Sequence, residues 1–306
     1  MKNKYAIFIV GPTGVGKTSM AVEVAEALDT QIISADSKQV YKELSIGTAV
    51  PGREQLSRVR HHFIHDRSVL EDYNASMFEM EALGVMDKLF REVDFVVIAG
   101  GSGLYIKALM TGIDDVPAVD PEIRRNLLGR LYDEGLESLR FELKKLDLES
   151  WESIDLKNPA RILKALEISL SSGKPYSSFI TRKSKPRNFA TLKIGLNMDR
   201  ALLYAGIDRR VDEMMKHGLL DEVRSCFPYR DRNALNTVGY KELFDYLEGR
   251  INLDEAVRLI KRNSRRYARR QLTWFKRDEE INWFSPDQFE EIMDHIRRNV
   301  KTGTQI

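Results

Sequence analysis

The residues best suited to chemistry form one run near the N-terminus. Gly11, Pro12, Thr13, Gly14, Val15, Gly16, Lys17 and Thr18 fit G-x-x-x-x-G-K-[ST] at every fixed position. In such a run successive backbone N–H groups line one concavity, a lysine reaches the outer phosphate oxygens, and the next hydroxyl can ligate magnesium. The apolar stretch Tyr5–Val10 before it reads as a strand. Met20, Val22, Val24, Ala25 and Leu28 after it read as an amphipathic helix beginning at Lys17, whose N-terminal dipole reinforces the anion site. The expected ligand is a di- or triphosphate.

A second polar group follows the next strand: Ser34, Ala35, Asp36, Ser37, Lys38, Gln39, then Ile46-Gly47-Thr48-Ala49. Ligand crevices of open α/β sheets lie at the carboxyl ends of strands, so Asp36 is expected to project into the phosphate site, either as a general base or as a turn cap or outer magnesium partner. The strand over 94–99 ends in Gly100-Gly101-Ser102-Gly103 and not in the acid that holds a hydrolase's metal. Ser102 is placed to cap a helix or to touch substrate. His61, His62 and His65 suggest a metal cluster, but adjacent histidines diverge on any regular element, and packing or loop bracing is the expected role.

Positioning these groups requires alternating strands and helices. Strands are predicted over 5–10, 31–34, 94–99 and 191–198, and helices over 75–90, 201–225, 239–248 and 253–275. From 120 to 172 the pattern is helical throughout, which predicts an insertion. The expected fold class is α/β, a P-loop NTPase-like parallel sheet flanked by helices, with segments 1–114 and 191–306 as the core and 115–190 as an inserted helical subdomain. A chain of 306 residues, 42 % hydrophobic, can bury such a core. The one cysteine, Cys226, excludes an internal disulfide and fits a reducing, cytoplasmic setting without structural zinc. The six-residue apolar start is too short for a signal peptide, and no segment has membrane-spanning length.

The formal net charge of +2 is uninformative, but its distribution is not. Arg258, Lys261, Arg262, Arg265, Arg266, Arg269, Arg270, Lys276 and Arg277 fall on or next to one predicted helix with no acid between its end members, and a second cluster runs from Arg182 to Arg187. Interleaved with Tyr267, Trp274 and Phe275, this resembles a nucleic-acid footprint; the alternative is a solvated face with internal ion pairs.

These blocks together resemble the bacterial tRNA dimethylallyltransferases, also called tRNA isopentenyltransferases. The resemblance rests on the phosphate loop, Asp36-Ser37…Gln39-Val40-Tyr41, Ile46 to Ala49, His61 to Ile64, Gly100 to Tyr105, Val238-Gly239-Tyr240 and Tyr267 to Phe275, and it extends from about Lys4 to Phe284. It implies transfer of a dimethylallyl group from its diphosphate to N6 of the adenosine 3′ of the anticodon. It also implies Asp36 as the base at N6, diphosphate held by Lys17, Thr18 and Arg210, and Mg2+ on Thr18. Asp36, Ser37, Lys38, Gln39, Ser102, Arg124, Ala160, Arg161 and Ile162 correspond to positions that contact the tRNA anticodon stem-loop, and Arg265 and Arg269 join them from the basic helix. Ser102 stands where the family usually has threonine and keeps the hydroxyl. Departures are Gly206 for an arginine, His65 for an aspartate and Ser264 for a threonine.

The implied chemistry is coherent. A poor nucleophile attacks an allylic carbon as the departing diphosphate is neutralised and Asp36 takes the proton. The target base must first leave its stack. A monomer is expected. Competing readings are an adenylate isopentenyltransferase acting on free AMP, a small-molecule P-loop kinase, and a non-enzymatic RNA-binding protein. The first would need neither the insertion nor the basic helix, and the second would show a lid of arginines.

Overall fold

The computed structural model describes residues 4–117, 119–181 and 183–300, which divide into two compact units. Unit one comprises residues up to Thr111 and from Pro186 onward. Its first stretch runs β1 (Tyr5–Val10), α1 (Lys17–Ala27), β2 (Ile32–Ser34), α2 (Arg53–Arg58), β3 (His61–His62), α3 (Ala75–Leu89), β4 (Phe95–Gly100) and α4 (Gly103–Thr111). Unit two, Gly112–Lys185, holds α5 (Pro121–Asp133), α6 (Leu136–Leu146), α7 (Leu148–Ser153) and α8 (Pro159–Ser172). Unit one resumes with β5 (Ala190–Leu196), α9 (Arg200–Lys216), α10 (Leu219–Cys226), α11 (Tyr240–Leu247), α12 (Leu253–Phe275), β6 (Asn282–Phe284) and α13 (Phe289–Asn299).

The six strands form one parallel sheet in the order β3-β2-β4-β1-β5-β6. Strands buried on both faces are written as unbroken apolar runs, and every residue of β1 is buried. Tyr5, Ile7 and Ile9 pack with Met20 and Val24 of α1, Leu203 and Ile207 of α9, and Ile292 and Ile296 of α13. On the other face Phe78 of α3 stacks on Tyr105 of α4 at 4.5 Å between ring centroids.

Three features depart from or add to the sequence reading. The sheet inserts β4 between β1 and β2, so the Asp36 strand is not the immediate neighbour of the phosphate-loop strand. The 201–225 run is two helices, broken at Gly218, whose φ of 96° belongs to the left-handed region that favours glycine. Strands β3 and β6, of two and three residues, are too short to leave a period in the sequence.

Unit two has its own core of Leu127, Leu139, Leu143, Ile162, Leu163, Ala165 and Leu166. Asp120 and Asn158 cap α5 and α8, each followed by proline at the first helical turn. Buried Asp147 accepts from Ser150 and from the Ser177 backbone and hydroxyl, which ties α7 to the segment after α8.

Candidate active site

The phosphate loop joins β1 to α1, and its turns demand glycine at three points: Gly11, Gly14 and Gly16 have φ of 150°, 81° and 100°, where a side chain is strained. Lys17 folds back so that Nζ donates to Pro12 O at 2.7 Å. Part of its side chain still meets the surface, yet protein surrounds the ammonium, and burial brings it down to about 7 from the ordinary 10.5. Asp36 opposes that shift and Arg210 adds to it. Arg210, carried by α9, is likewise held below its ordinary value by burial, and among the described residues no carboxylate closes an ion pair on it. Two half-buried cations thus stand within range of each other, with Asp36 as the carboxylate acting on both, an arrangement that an added anion stabilises.

Asp36 reaches this region because β4 ends in glycine. A Cβ on Gly100 would lie 2.2 Å from Ala35 O, so only a bare backbone lets the chain after β2 cross there. Ala35 N–H donates to Ala99 O at 2.8 Å and continues the ladder. Asp36 Oδ1 accepts from Lys38 N at 2.9 Å and, more weakly, from Gln39 N at 3.4 Å. Oδ2 takes no protein hydrogen bond among the described residues, so one oxygen orients the carboxylate and the other stays available.

Two cavities meet here, each open to solvent. One, of about 310 Å³, is walled by the phosphate loop with Thr18, Ala21, Ile32, Pro51 and Ala99. The other, of about 390 Å³, is edged by the cations Lys38, Lys241 and Arg270. Both are lined by Thr13, Asp36, Thr48, Arg210 and Tyr267, which form the junction.

Ser102, 9 % exposed, lines neither cavity. Its hydroxyl accepts from Ser37 N at 3.0 Å and lies 3.2 Å from Ser37 Oγ, bracing the Asp36 turn from behind. Lys38 Nζ donates to Asn233 O and Ala234 O at 2.8 and 2.9 Å, and burial brings the amine down to about 8. Gln39 holds Thr48 O and Ala49 O through Nε2 and accepts from Ser34 at Oε1. Ser37 completes the turn at the edge of the second cavity.

The remaining positions divide. In unit two, Arg124 pairs with Glu167, Ala160 and Arg161 are exposed, and Ile162 is fully buried in that unit's core. On α12, Arg265 is ion-paired to Asp208 and Lys261 to Asp212, both from α9, while Arg266, Arg269 and Arg270 are exposed. Arg187 is no surface cation: it forms a buried ion pair with Glu79 at 2.7 Å and donates to Ala108 O and Leu109 O. Arg182 lies outside the described residues. The histidines brace loops: His62 bonds Gln31, His61 bonds Val59 O, and His65 bonds Ser45. No metal-binding cluster of His, Cys, Asp or Glu occurs among the described residues.

Sequence reasoning missed three site-building residues. Tyr267 lies at the junction, where burial with the Asp36 charge pushes its hydroxyl up to about 12. Gln271 is buried against the phosphate loop. The signal was there: Ile260, Ser264, Tyr267 and Gln271 repeat at helical spacing, on a different stripe from Arg266, Arg269 and Arg270. Glu222 gathers the N–H groups of Ser45, Ile46 and Gly47 and the hydroxyl of buried Tyr240, fixing the loop that delivers Thr48. Nothing in its local sequence marks it.

A parallel sheet whose central strand feeds a phosphate cradle, with a free carboxylate in place of a hydrolase metal site, defines a P-loop NTPase-like protein of a group-transfer kind. Comparison with known proteins makes the class specific. The IPP transferase family model matches residues 39–278. A tRNA dimethylallyltransferase of Bacteroides fragilis is 50 % identical over 98 % of this chain and 100 % of its own length. The crystal structure of the tRNA isopentenylpyrophosphate transferase of Bacillus halodurans is 34 % identical, covers 97 % of this chain and 96 % of its own, and superposes with a TM-score of 0.71. A eukaryotic dimethylallyltransferase acting on tRNA, 23 % identical, shares the fold with a TM-score of 0.78 over 99 % of this chain and 81 % of its own. The chain belongs to the IPP transferase family, the tRNA dimethylallyltransferases, and is a prenyltransferase.

Proposed function

We propose that this chain transfers a dimethylallyl group from dimethylallyl diphosphate to N6 of the adenosine at tRNA position 37, giving N6-isopentenyladenosine. The observation that supports the reading is the pair of half-buried cations, Lys17 and Arg210, beside Asp36 with its free oxygen at the junction between two cavities. The diphosphate sits in the first cavity against the loop amides, Lys17 and Arg210. The adenine, flipped from the anticodon loop, enters through the second, where cations suit a phosphate backbone.

In the reaction a bond forms between N6 and C1 of the allyl group while the C1–O bond breaks. The N6 proton passes to Asp36, and the electron pair leaves with the diphosphate onto Lys17, Arg210 and the loop amides. Thr18 supplies one hydroxyl suited to Mg2+, and with no carboxylate cluster among the described residues the ion's other ligands would come from diphosphate and water. Such an ion would neutralise leaving-group charge. We further assign the tRNA contacts to Ser37, Lys38, Gln39, Arg269 and the exposed Ala160 and Arg161, the unit from Gly112 to Lys185 to tRNA binding, and the active form to a cytoplasmic monomer.

The test is incubation with labelled dimethylallyl diphosphate and unmodified tRNA, then digestion to nucleosides. Label is expected in N6-isopentenyladenosine from tRNA, and Asp36→Asn should lower kcat by about 10²–10⁴-fold with diphosphate binding retained. Equal labelling of free AMP, or phosphate transfer from ATP to a small acceptor, would overturn the reading.

A further inference from the structure

Gln271 of α12 satisfies two backbone groups that no other side chain among the described residues bonds. It is 6 % exposed. Its Oε1 accepts from Thr13 N in the phosphate loop at 2.7 Å, and its Nε2 donates to Gly101 O, just past β4, at 2.9 Å. One partner is a donor and the other an acceptor, so the amide orientation is fixed and both ends are used. Gly101 is a consequence of this contact, since a Cβ there would come within 2.2 Å of Gln271 Nε2.

The two bonds fall on functional backbone. Thr13 lines both cavities and lies one residue from Pro12, whose carbonyl Lys17 grips from the other side at 2.7 Å. Gly101 immediately precedes Ser102, which braces the Asp36 turn. One side chain therefore links the diphosphate cradle to the end of β4, where the next residue, Ser102, braces the turn that carries Asp36. It does so from the same helix that presents Arg269 and Arg270 at its surface.

We propose that Gln271 is a positioning residue of the transfer reaction: it holds the first half of the phosphate loop in its anion-binding shape and in register with Asp36. The inference rests on the reading of the loop as the diphosphate site. Its removal leaves the half-buried N–H of Thr13 and the buried C=O of Gly101 without their protein partner, which frees the loop to turn away from its present shape.

The experiment compares wild type with Gln271→Ala and Gln271→Glu, measuring melting temperature, calorimetric affinity for dimethylallyl diphosphate without tRNA, and steady-state KM and kcat. Gln271→Ala should weaken diphosphate binding and raise its KM by about 10-fold or more, with the KM for tRNA unchanged. Gln271→Glu gives a sharper signature. Protonated, the introduced carboxyl accepts from Thr13 and donates to Gly101 as the amide did; ionised, it faces the Gly101 carbonyl and repels the diphosphate. Burial raises its pKa, so the ratio of variant to wild-type kcat/KM should fall as pH rises through that value. Unchanged diphosphate affinity in Gln271→Ala, or a pH-independent ratio for Gln271→Glu, overturns the proposal. Failure of the wild type to bind dimethylallyl diphosphate would instead overturn the diphosphate reading itself.

Discussion

Lys17 states its task through its protonation. In the free protein the amine is brought down to about 7, chiefly by burial, against 10.5 for an unburied lysine. Between those values the folded chain binds fewer protons than the unfolded one, so stability from this group rises with pH across that window, and the cost of the buried charge is fully felt below it. A bound diphosphate reverses the balance by favouring the charged amine. Titration with dimethylallyl diphosphate, already fully ionised at about pH 8.5, in buffers of differing ionisation enthalpy should therefore show uptake approaching one proton. Release of protons, or none exchanged, would contradict the placement of Lys17 against the anion. At this scale the phosphate loop and Asp36 were legible because their chemistry is local in sequence. Glu222 and Gln271 were not, because each acts on backbone far along the chain, from residue 222 to residues 45–47 and from residue 271 to residues 13 and 101.

Helix α12 was read from its period with the bounds the structure gives it, but the roles of its cations were not. The partners of Arg265 and Lys261 come from α9, and no spacing rule within α12 announces them. Both pairs are partly exposed, so each contributes at most about 1 kcal/mol. The consequence for binding is a division of labour. Arg269→Ala should reduce the slope of log K for tRNA against log salt by about 0.7–0.9. Arg265→Ala should change the slope less and shift the melting temperature more. Equal slopes for both variants would show that the ion pairs to α9 do not hold in solution. Arg187 illustrates the same limit: a surface cluster in the sequence contains a cation that the fold spends internally, on Glu79.

At the scale of the whole molecule the sequence conveyed an α/β core with a helical insertion, while strand order stayed hidden. Order is set by where crossovers land, and neither the two-residue β3 nor the placement of β4 between β1 and β2 leaves a local trace. The helical unit's separate core makes it separately vulnerable. Leu139, fully buried there, should cost about 2–5 kcal/mol when truncated to alanine. Calorimetry should show the loss as an early transition, with pyrophosphate affinity of the remaining core unchanged at temperatures below it. A single cooperative transition shifted as a whole would mean that the two units unfold together.

The meeting of two open cavities at Thr13, Asp36, Thr48, Arg210 and Tyr267 has a consequence for traffic. If diphosphate takes the first cavity and adenine the second, as proposed, each reactant has its own doorway, and neither must cross the other's berth to arrive or depart. On the proposed assignment, diphosphate can retreat through the first cavity while the enlarged nucleoside backs out through the second, so a spent leaving group need not trap a finished RNA. The junction is the one place where both visitors press on the same five side chains.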